Sequence, residues 1–283
     1  MSTHPARRLW HSLEALYQPA LSVEHTRAVG KELGLRGFWM TLIAFRSAPL
    51  GAVDAATVVA TFGGFAPEMV GKAVPAAWTL VPPATCVERR NVLAGELLRE
   101  AGITDVIAGP LVARLAALPS ALETTGRPLG AANAALPLPD DPVAALWQLA
   151  STVREHRGDG HLAAWVAAGV TGLQSHHMLV ADLGQHEMMR ELRGWTPEEW
   201  SEAAEALVAR GLLDADSGAL TAAGRELRDK VEQQTDELSW SGGLSVLGEE
   251  GVDRICAELA PLASSVRGSG LAPLFTLLAG SEV

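Results

Sequence analysis

The sequence predicts a mainly α-helical protein that is built from two tandem repeats. Of its 283 residues, 48% are hydrophobic and only 5% are aromatic. Alanine and leucine, which are strong helix formers, supply much of the hydrophobic content. Short motifs of the first half also return in the second half in the same order, and this repetition predicts the tandem arrangement.

Four pairs of motifs carry the repetition. They are PARRLW (5–10) and PVAALW (142–147), GLRG (34–37) and GVTG (169–172), APLG (48–51) and ADLG (181–184), and GFAPE (64–68) and GWTPE (194–198). The offset between the copies falls from 137 to 130 residues in one direction, as small deletions would cause. Chance similarity between helices rich in Ala, Leu and Gly is the alternative explanation.

Apolar residues at helical spacing predict the elements of the first half. We expect helices at residues 5–17, 23–46, 55–62, 67–78, 86–101 and 103–122, with Pro75 interrupting the fourth. The segment 124–141 is rich in Gly, Pro and Asn, which is typical of a linker or long loop.

The second half begins with a helix at residues 142–153 and continues, after REHRGDGH (154–161), with a long helix that Asp159 would cap. Thr196 and Pro197 suit the start of a helix that ends at Gly211. Leu212, Leu213 and Leu220 flank the tight turn DADSG and predict a short hairpin. Thr221 caps a helix at 222–236, and the tail at 236–266 is helical again.

The order of helix, RGLLD, hairpin, LTxxG and long helix resembles the winged helix of MarR-type bacterial regulators. GLRGFW, RxAPLG, EHRGDGH and GWTPEEW extend the resemblance, of an actinobacterial type, over nearly the whole chain. The resemblance implies two tandem MarR-like winged-helix repeats in a single-chain pseudo-dimer. The wing of the first repeat is degenerate, because TLVPPATC stands in its place, and the second keeps a small β-hairpin wing.

The expected organisation has four parts. They are a first, degenerate repeat at 1–123, a linker at 124–141, a second repeat at 142–236 and C-terminal helices at 237–283 that pack on the pseudo-dimer core. Cys86 and Cys256 share no motif and are expected to be reduced thiols. The N-terminus has no apolar signal core, and we expect a cytoplasmic protein with no membrane partner.

Charge argues against DNA as a partner. The net charge is −11, and the helix at 197–210 carries four glutamates against Arg210. A helix that reads DNA normally presents basic or amide side chains to phosphates and base edges. We therefore expect that DNA binding has been lost.

The cleft between the helical core and the winged lobes is the expected ligand site, because MarR-type proteins bind small, often aromatic molecules there. We expect a small apolar or aromatic ligand, whose acidic group, if it has one, Arg46 or Arg157 would accommodate. The candidate ligand-binding residues are Trp39, Arg46, Arg154, His156, Arg157, Trp165, His176 and His177. If the protein is an enzyme, His161 paired with Asp159, or with Glu155, is the expected acid–base unit.

Several alternatives stay open at this level. Arg46 would equally pair with an internal carboxylate, the histidines would be ordinary core residues, and REHRGDGH would be a structured loop. No metal-binding motif is present, and the cofactor is unknown, with haem on one histidine as an unspecific alternative. The rival functions are a ligand-responsive transcription factor and a protein-interaction scaffold.

Overall fold

A computed structural model describes residues 3–271, and most of them lie in helices. The helices of the first half are α1 (Pro5–Tyr17), α2 (Val23–Glu32), α3 (Gly37–Ser47), α4 (Ala55–Phe62), α5 (Pro67–Ala73), α6 (Pro83–Glu100), α7 (Asp105–Leu115), α8 (Leu118–Ala121) and α9 (Pro128–Ala134). Those of the second half are α10 (Pro142–Ala167), α11 (Gly172–Val180), α12 (His186–Arg193), α13 (Pro197–Ala209), α14 (Ala222–Ser241) and α15 (Glu249–Gly268).

Helix α10 is the centre of the molecule. Asp141 caps it by accepting a hydrogen bond from the Ala144 amide, and Pro142 occupies its first turn. The helix packs against α1, α6, α7, α9 and α14. Its 26 residues run through the whole REHRGDGH motif, so Asp159 lies inside the helix and does not cap it, contrary to the sequence prediction.

The terminal helices complete the core around α10. Helix α1 packs against α15 and α14. Helix α14 begins at the predicted cap, Thr221, and runs on to Ser241, beyond the predicted end at 236. Residues 272–283 of the expected C-terminal helices lie outside the described residues.

Glycines in the left-handed region divide two segments that were predicted as single helices. The expected helix at 23–46 is two helices, because Gly34 takes a φ of +78° between α2 and α3. The expected helix after Asp159 likewise ends at Gly169, where φ is +68°, and α11 starts at Gly172. His161 and His176 therefore lie on different helices and not on one helical face.

Two helical units are named here by their residues, and the first of them contributes Phe38, Ile43 and Val70 to the main hydrophobic core. The first lobe is α3 to α5 (37–73), and the second lobe is α11 to α13 with the turn that follows (172–220). A 3-10 helix, Ala76–Thr79, follows α5, which ends before Pro75.

The predicted β-hairpin wing is reduced to one antiparallel bridge between Leu213 and Leu220, and residues 3–271 contain no named strand. The Asp214 carboxylate accepts hydrogen bonds from the Asp216 and Ser217 amides and so holds the turn itself. A two-residue ladder is too short to count as a strand pair, although the turn chemistry that predicted it is present.

The expected linker at 124–141 contains α9, which packs on α10. Leu129 and Asn133 of this helix are buried, and the Gly130 amide donates to the Asp159 carboxylate at 2.7 Å. The segment is therefore structured, because its small residues allow close contact with α10.

Within residues 3–271, no single helix combines the length and the hydropathy that a membrane crossing requires. The segments Gly37–Leu50 and Ala55–Phe62 meet the length and hydropathy requirements only together, and a bend of 89° separates them.

Candidate ligand site at the interlobe seam

The first and second lobes meet along a contact that we call the interlobe seam, formed by residues 63–66 against 172–195. The Trp195 indole N–H donates to the Gly64 carbonyl at 3.1 Å, and the Ala66 amide donates to the Arg193 carbonyl at 2.9 Å. Gly172 lies so close that an added methyl group would stand 1.5 Å from the Gly63 carbonyl oxygen. Any residue larger than glycine at position 172 would therefore prevent this contact.

Aromatic rings and arginines line the first-lobe side of the seam. Phe62 and Phe65 have ring centroids 6.0 Å apart, and Trp39 stands edge-on to Phe65 at 6.2 Å. The Arg46 guanidinium lies 4.2 Å over the Phe62 ring, and that of Arg193 lies 4.6 Å over the Phe65 ring. Two neighbouring phenylalanines thus each carry a stacked cation.

Arg46 has an acidic partner, as the alternative interpretation of the sequence held. Its Nε and Nη2 donate to the two carboxylate oxygens of Glu155 at 3.0 and 2.8 Å. Arg154 donates to the same carboxylate at 3.1 Å and to Glu14 at 3.0 Å, and its guanidinium lies 4.4 Å over the Tyr17 ring. Despite burial, these two arginines lower the pKa of Glu155 to about 2.

Arg157 belongs to a different ion-pair network, between α10 and α14. Its Nη2 donates to Glu232 at 2.8 Å and to Asp236 at 3.2 Å, and its guanidinium lies 4.2 Å over the Trp10 ring. Because Glu232 and Asp236 of α14 both pair with Arg157 of α10, this arginine holds the two core helices together. It does not lie free to receive an acidic ligand.

His161 is engaged at both ring nitrogens. The Trp165 indole N–H donates to Nε2 at 2.8 Å, and Nδ1 lies 3.0 Å from the Thr235 hydroxyl. Because that hydroxyl donates to the Val231 carbonyl, Nδ1 carries the proton and the imidazole is neutral. Burial lowers the pKa of His161 in agreement with this tautomer.

Asp159 does not form an acid–base unit with His161. Its carboxylate accepts from the Gly130 amide, and burial raises its pKa to about 7. His156, also on this side of α10, contacts the Glu123 carbonyl through Nε2 at 3.0 Å, and burial lowers its pKa to about 4. These two residues lie under α9, away from the seam.

His176 and His177 separate. The His176 ring packs on Gly64 in the seam, so close that a methyl group on Gly64 would meet its Cε1 at 2.0 Å. His177 points into the second lobe, where Nε2 lies 2.9 Å from the Trp200 carbonyl and burial lowers the pKa to about 4. Of the ten predicted site residues, Trp39, Arg46 and His176 are at the seam, with Arg154 next to Arg46 through Glu155.

Arg193 is the seam residue that the sequence reasoning missed. Its Nε is buried without a hydrogen-bond partner, and no ion pair joins it to an acid among residues 3–271. Burial, and then the charges of Arg46 and Arg154, lower its pKa to about 9. Its position directly before Gly194, which begins the motif that repeats GFAPE (64–68), was the available signal.

Beside the seam, Trp39 also forms one wall of an open surface depression of about 500 Å³. Its other walls come from α12: Glu187, Met188, Glu191 and Leu192. The depression is shallow and acidic, whereas the seam itself is aromatic and basic.

Helices α12 and α13 are joined by a three-residue turn in which Gly194 takes a φ of +76°. Thr196 caps α13 with a complete capping box to Glu199, and Pro197 occupies the first turn. Two short helices joined by a tight glycine turn are the geometry of a helix-turn-helix unit. A family model described as a helix-turn-helix family matches residues 6–273. The chain belongs to this helix-turn-helix family.

No curated protein and no solved structure matches the chain. Membership of the helix-turn-helix family supports a protein of the DNA-binding regulator type, in which the second helix of the unit enters the major groove. In this chain that helix is α13, and its outward side chains are acidic: Glu198, Glu199, Glu202 and Glu205 are all exposed. Arg210, which follows α13, donates to the Gly169 and Ala168 carbonyls.

Proposed function

We propose that this helix-turn-helix protein binds a small molecule in the interlobe seam and no longer reads DNA. The observation that carries the proposal is the exposed face of α13, where four glutamates stand at the position of a DNA-reading surface. Each would meet the phosphate backbone with a like charge, and the net charge of −11 adds to the repulsion.

A tandem, MarR-like pseudo-dimer is part of the proposal, and the positions of the repeated motifs support it. Gly34 and Gly169 both take positive φ before a new helix, and Gly51 and Gly184, which end the matched APLG and ADLG motifs, both take positive φ between one helix and the next. The helices then restart at Pro67 and Pro197. Matching backbone conformations at matching motifs favour duplication over chance similarity.

Helix packing supports the same arrangement. If the motifs are equivalent, α1 corresponds to the start of α10, and α6 corresponds to α14. Helix α1 packs against α14, and α10 packs against α6 as well as against α14, so the first helix of each repeat meets the last long helix of the other. This exchange is what a two-fold relation between the repeats would produce. On this view the turn at 214–219 is the remnant of the wing.

The seam supports ligand binding because it joins apolar surface with polar atoms that lack partners. The half-buried Phe62 and Trp39 rings supply flat apolar contacts, and Trp39 also lines the depression of about 500 Å³. The buried Nδ1 of His176 and Nε of Arg193 have no hydrogen-bond partner among residues 3–271. Ligand sites are typically apolar with a few placed polar groups.

Retention of a small molecule tests the proposal. The protein is dialysed against a cell extract of the organism that encodes it, and native mass spectrometry then measures any added mass. We expect a bound small molecule that is released on unfolding. His176→Phe, which fills the seam, should reduce its retention, whereas His25→Phe on α2 should not. Equal retention by both variants, or no retention by the wild type, would contradict the proposal.

A ligand-responsive DNA-binding regulator is the second candidate, and membership of the helix-turn-helix family favours it. It differs in requiring a specific DNA site that the protein binds tightly at physiological salt and releases on ligand binding.

A further inference from the structure

Three arginines of this protein occupy sites of one kind, in which an aromatic ring covers the guanidinium and a carboxylate pairs with it. They are Arg46 with Phe62 and Glu155, Arg154 with Tyr17 and Glu14, and Arg157 with Trp10 and Glu232. The ring attracts the cation through its quadrupole, and the carboxylate attracts it through its charge. These sites show which surroundings this chain gives to a guanidinium.

The open depression beside the seam has the same two components. Its walls combine the indole of Trp39 with two carboxylates, Glu187 and Glu191, which lie one turn apart on α12. Met188 and Leu192 add apolar surface. At about 500 Å³, the depression has the volume of a small-molecule site.

The Trp39 ring carries no cation from the part of the chain that the structure describes. It stands edge-on to Phe38 at 4.8 Å and to Phe65 at 6.2 Å, and neither ring is stacked on it. Phe65 carries the Arg193 guanidinium, whereas no arginine or lysine of residues 3–271 lies over the indole. A cation on Trp39 therefore has to come from outside these residues.

The two carboxylates of the depression are available as well. Glu187 forms no ion pair within residues 3–271, and Glu191 pairs only with its sequence neighbour Arg190, at 3.4 Å. Two like charges one helical turn apart repel each other, and a cation between them removes that cost. The second lobe (172–220) carries nine acidic residues against three arginines, and this charge attracts cations.

We propose that the depression binds a small organic cation of the guanidinium type, stacked on Trp39 and paired with Glu187 and Glu191. Met188 and Leu192 contact its apolar substituent. The charge of this ligand is opposite to that of the acid expected from the sequence, and the site lies beside the seam. The inference therefore goes beyond the proposed function and holds or fails without it.

Calorimetric titration with phenylguanidinium and its neutral isostere, phenylurea, tests the inference at pH 7 and 150 mM salt. The wild type should bind phenylguanidinium about tenfold more tightly than phenylurea. The double variant Glu187→Gln with Glu191→Gln should abolish this preference. The double variant Glu198→Gln with Glu202→Gln removes the same charge from exposed positions of α13 and should keep it.

Four results of this titration would overturn the inference. They are equal binding of both compounds by the wild type, no binding of either compound, a preference that survives in the variant of Glu187 and Glu191, and a preference that is lost in the variant of Glu198 and Glu202. In the last case the net charge, and not the depression, would explain the selectivity.

Trp39→Leu tests the stacking separately. Affinity for both compounds should fall about fivefold, while the preference for phenylguanidinium, which the carboxylates confer, should remain and so show that the variant is folded. Unchanged affinity would exclude stacking on the indole and would overturn the inference.

An arginine side chain of a partner protein offers the same guanidinium as a free small molecule. The blocked peptide acetyl-glycyl-arginyl-glycinamide should bind more weakly than phenylguanidinium, because it has no ring to contact Met188 and Leu192. Tighter binding of the peptide would assign the depression to a protein partner and would overturn the inference.

Discussion

At the scale of single residues, the interior of this protein is held by charged side chains that share partners. Glu155 is 1% exposed and accepts hydrogen bonds from both Arg46 and Arg154. Removing one member of such a group leaves the others buried without compensation, which costs more than the net value of the pair.

Glu155→Gln should therefore destabilise the protein by about 3–5 kcal/mol at pH 7. Arg46 would then have no carboxylate partner among residues 3–271, and Arg154 would keep only Glu14. Urea unfolding measures the change, and Glu250→Gln, at an exposed position of α15, is the matched control with an expected effect below about 0.5 kcal/mol. If Glu155→Gln loses no more free energy of unfolding than the control does, Glu155 does not stabilise the fold through its two arginine partners.

The buried carboxyl of Asp159 predicts how the free energy of unfolding changes with pH. Burial raises its folded-state pKa to about 7, so the protonated form is favoured in the fold relative to the unfolded chain. The stability that this group contributes is fully present below its unfolded pKa of about 4 and is lost as the pH rises to about 7.

Asp159→Asn keeps an acceptor for the Gly130 amide and cannot ionise. Relative to the wild type, the variant should gain about 2–3 kcal/mol between pH 5 and pH 8. Chemical denaturation at the two pH values measures this difference. A variant whose relative stability is the same at both would show that Asp159 titrates normally.

At the scale of elements, glycines decide where helices end and how closely they approach. Helix positions were largely predictable, because Asp54, Thr196 and Thr221 are local caps that act within three residues. The breaks at Gly34 and Gly169 were missed, since glycine inside an apolar helical pattern fits either a helix or a break. Asp159 was misplaced for the same reason, because Gly158 and Gly160 continue the helix.

The seam predicts opposite effects for two glycine-to-alanine substitutions. Gly172→Ala places a methyl group against the Gly63 carbonyl, and backbone cannot yield as a side chain can, so we expect a loss above about 2 kcal/mol. Gly71→Ala meets no atom within 4 Å at an exposed position of α5 and should gain about 0.5–1 kcal/mol.

Urea unfolding gives both values, and hydrogen exchange at residues 63–66 shows where the first variant acts. Exchange should increase in this turn for Gly172→Ala and stay unchanged for Gly71→Ala. Unchanged exchange and stability for Gly172→Ala would mean that the lobes do not meet along this seam.

At the scale of the whole molecule, the chain joins a helix-turn-helix unit to a helical core, and its net charge is −11. Family and helical class could be approached from the sequence, because GWTPEEW and the residues after it form a local pattern. The site could be predicted only in part. Arg46 and His176 stood out by residue type, whereas the missing partner of Arg193 depends on contacts between lobes that the sequence does not specify.

The measurement that tests the central claim most directly is binding to the sheared genomic DNA of the organism that encodes the protein. Selection is carried out at 150 mM salt, and fluorescence anisotropy then measures the affinity for any enriched fragment. The account predicts no reproducible enrichment and a Kd above about 10 µM for random duplex. A fragment that is enriched repeatedly and bound with nanomolar affinity would contradict it and would identify the protein as a DNA-binding regulator.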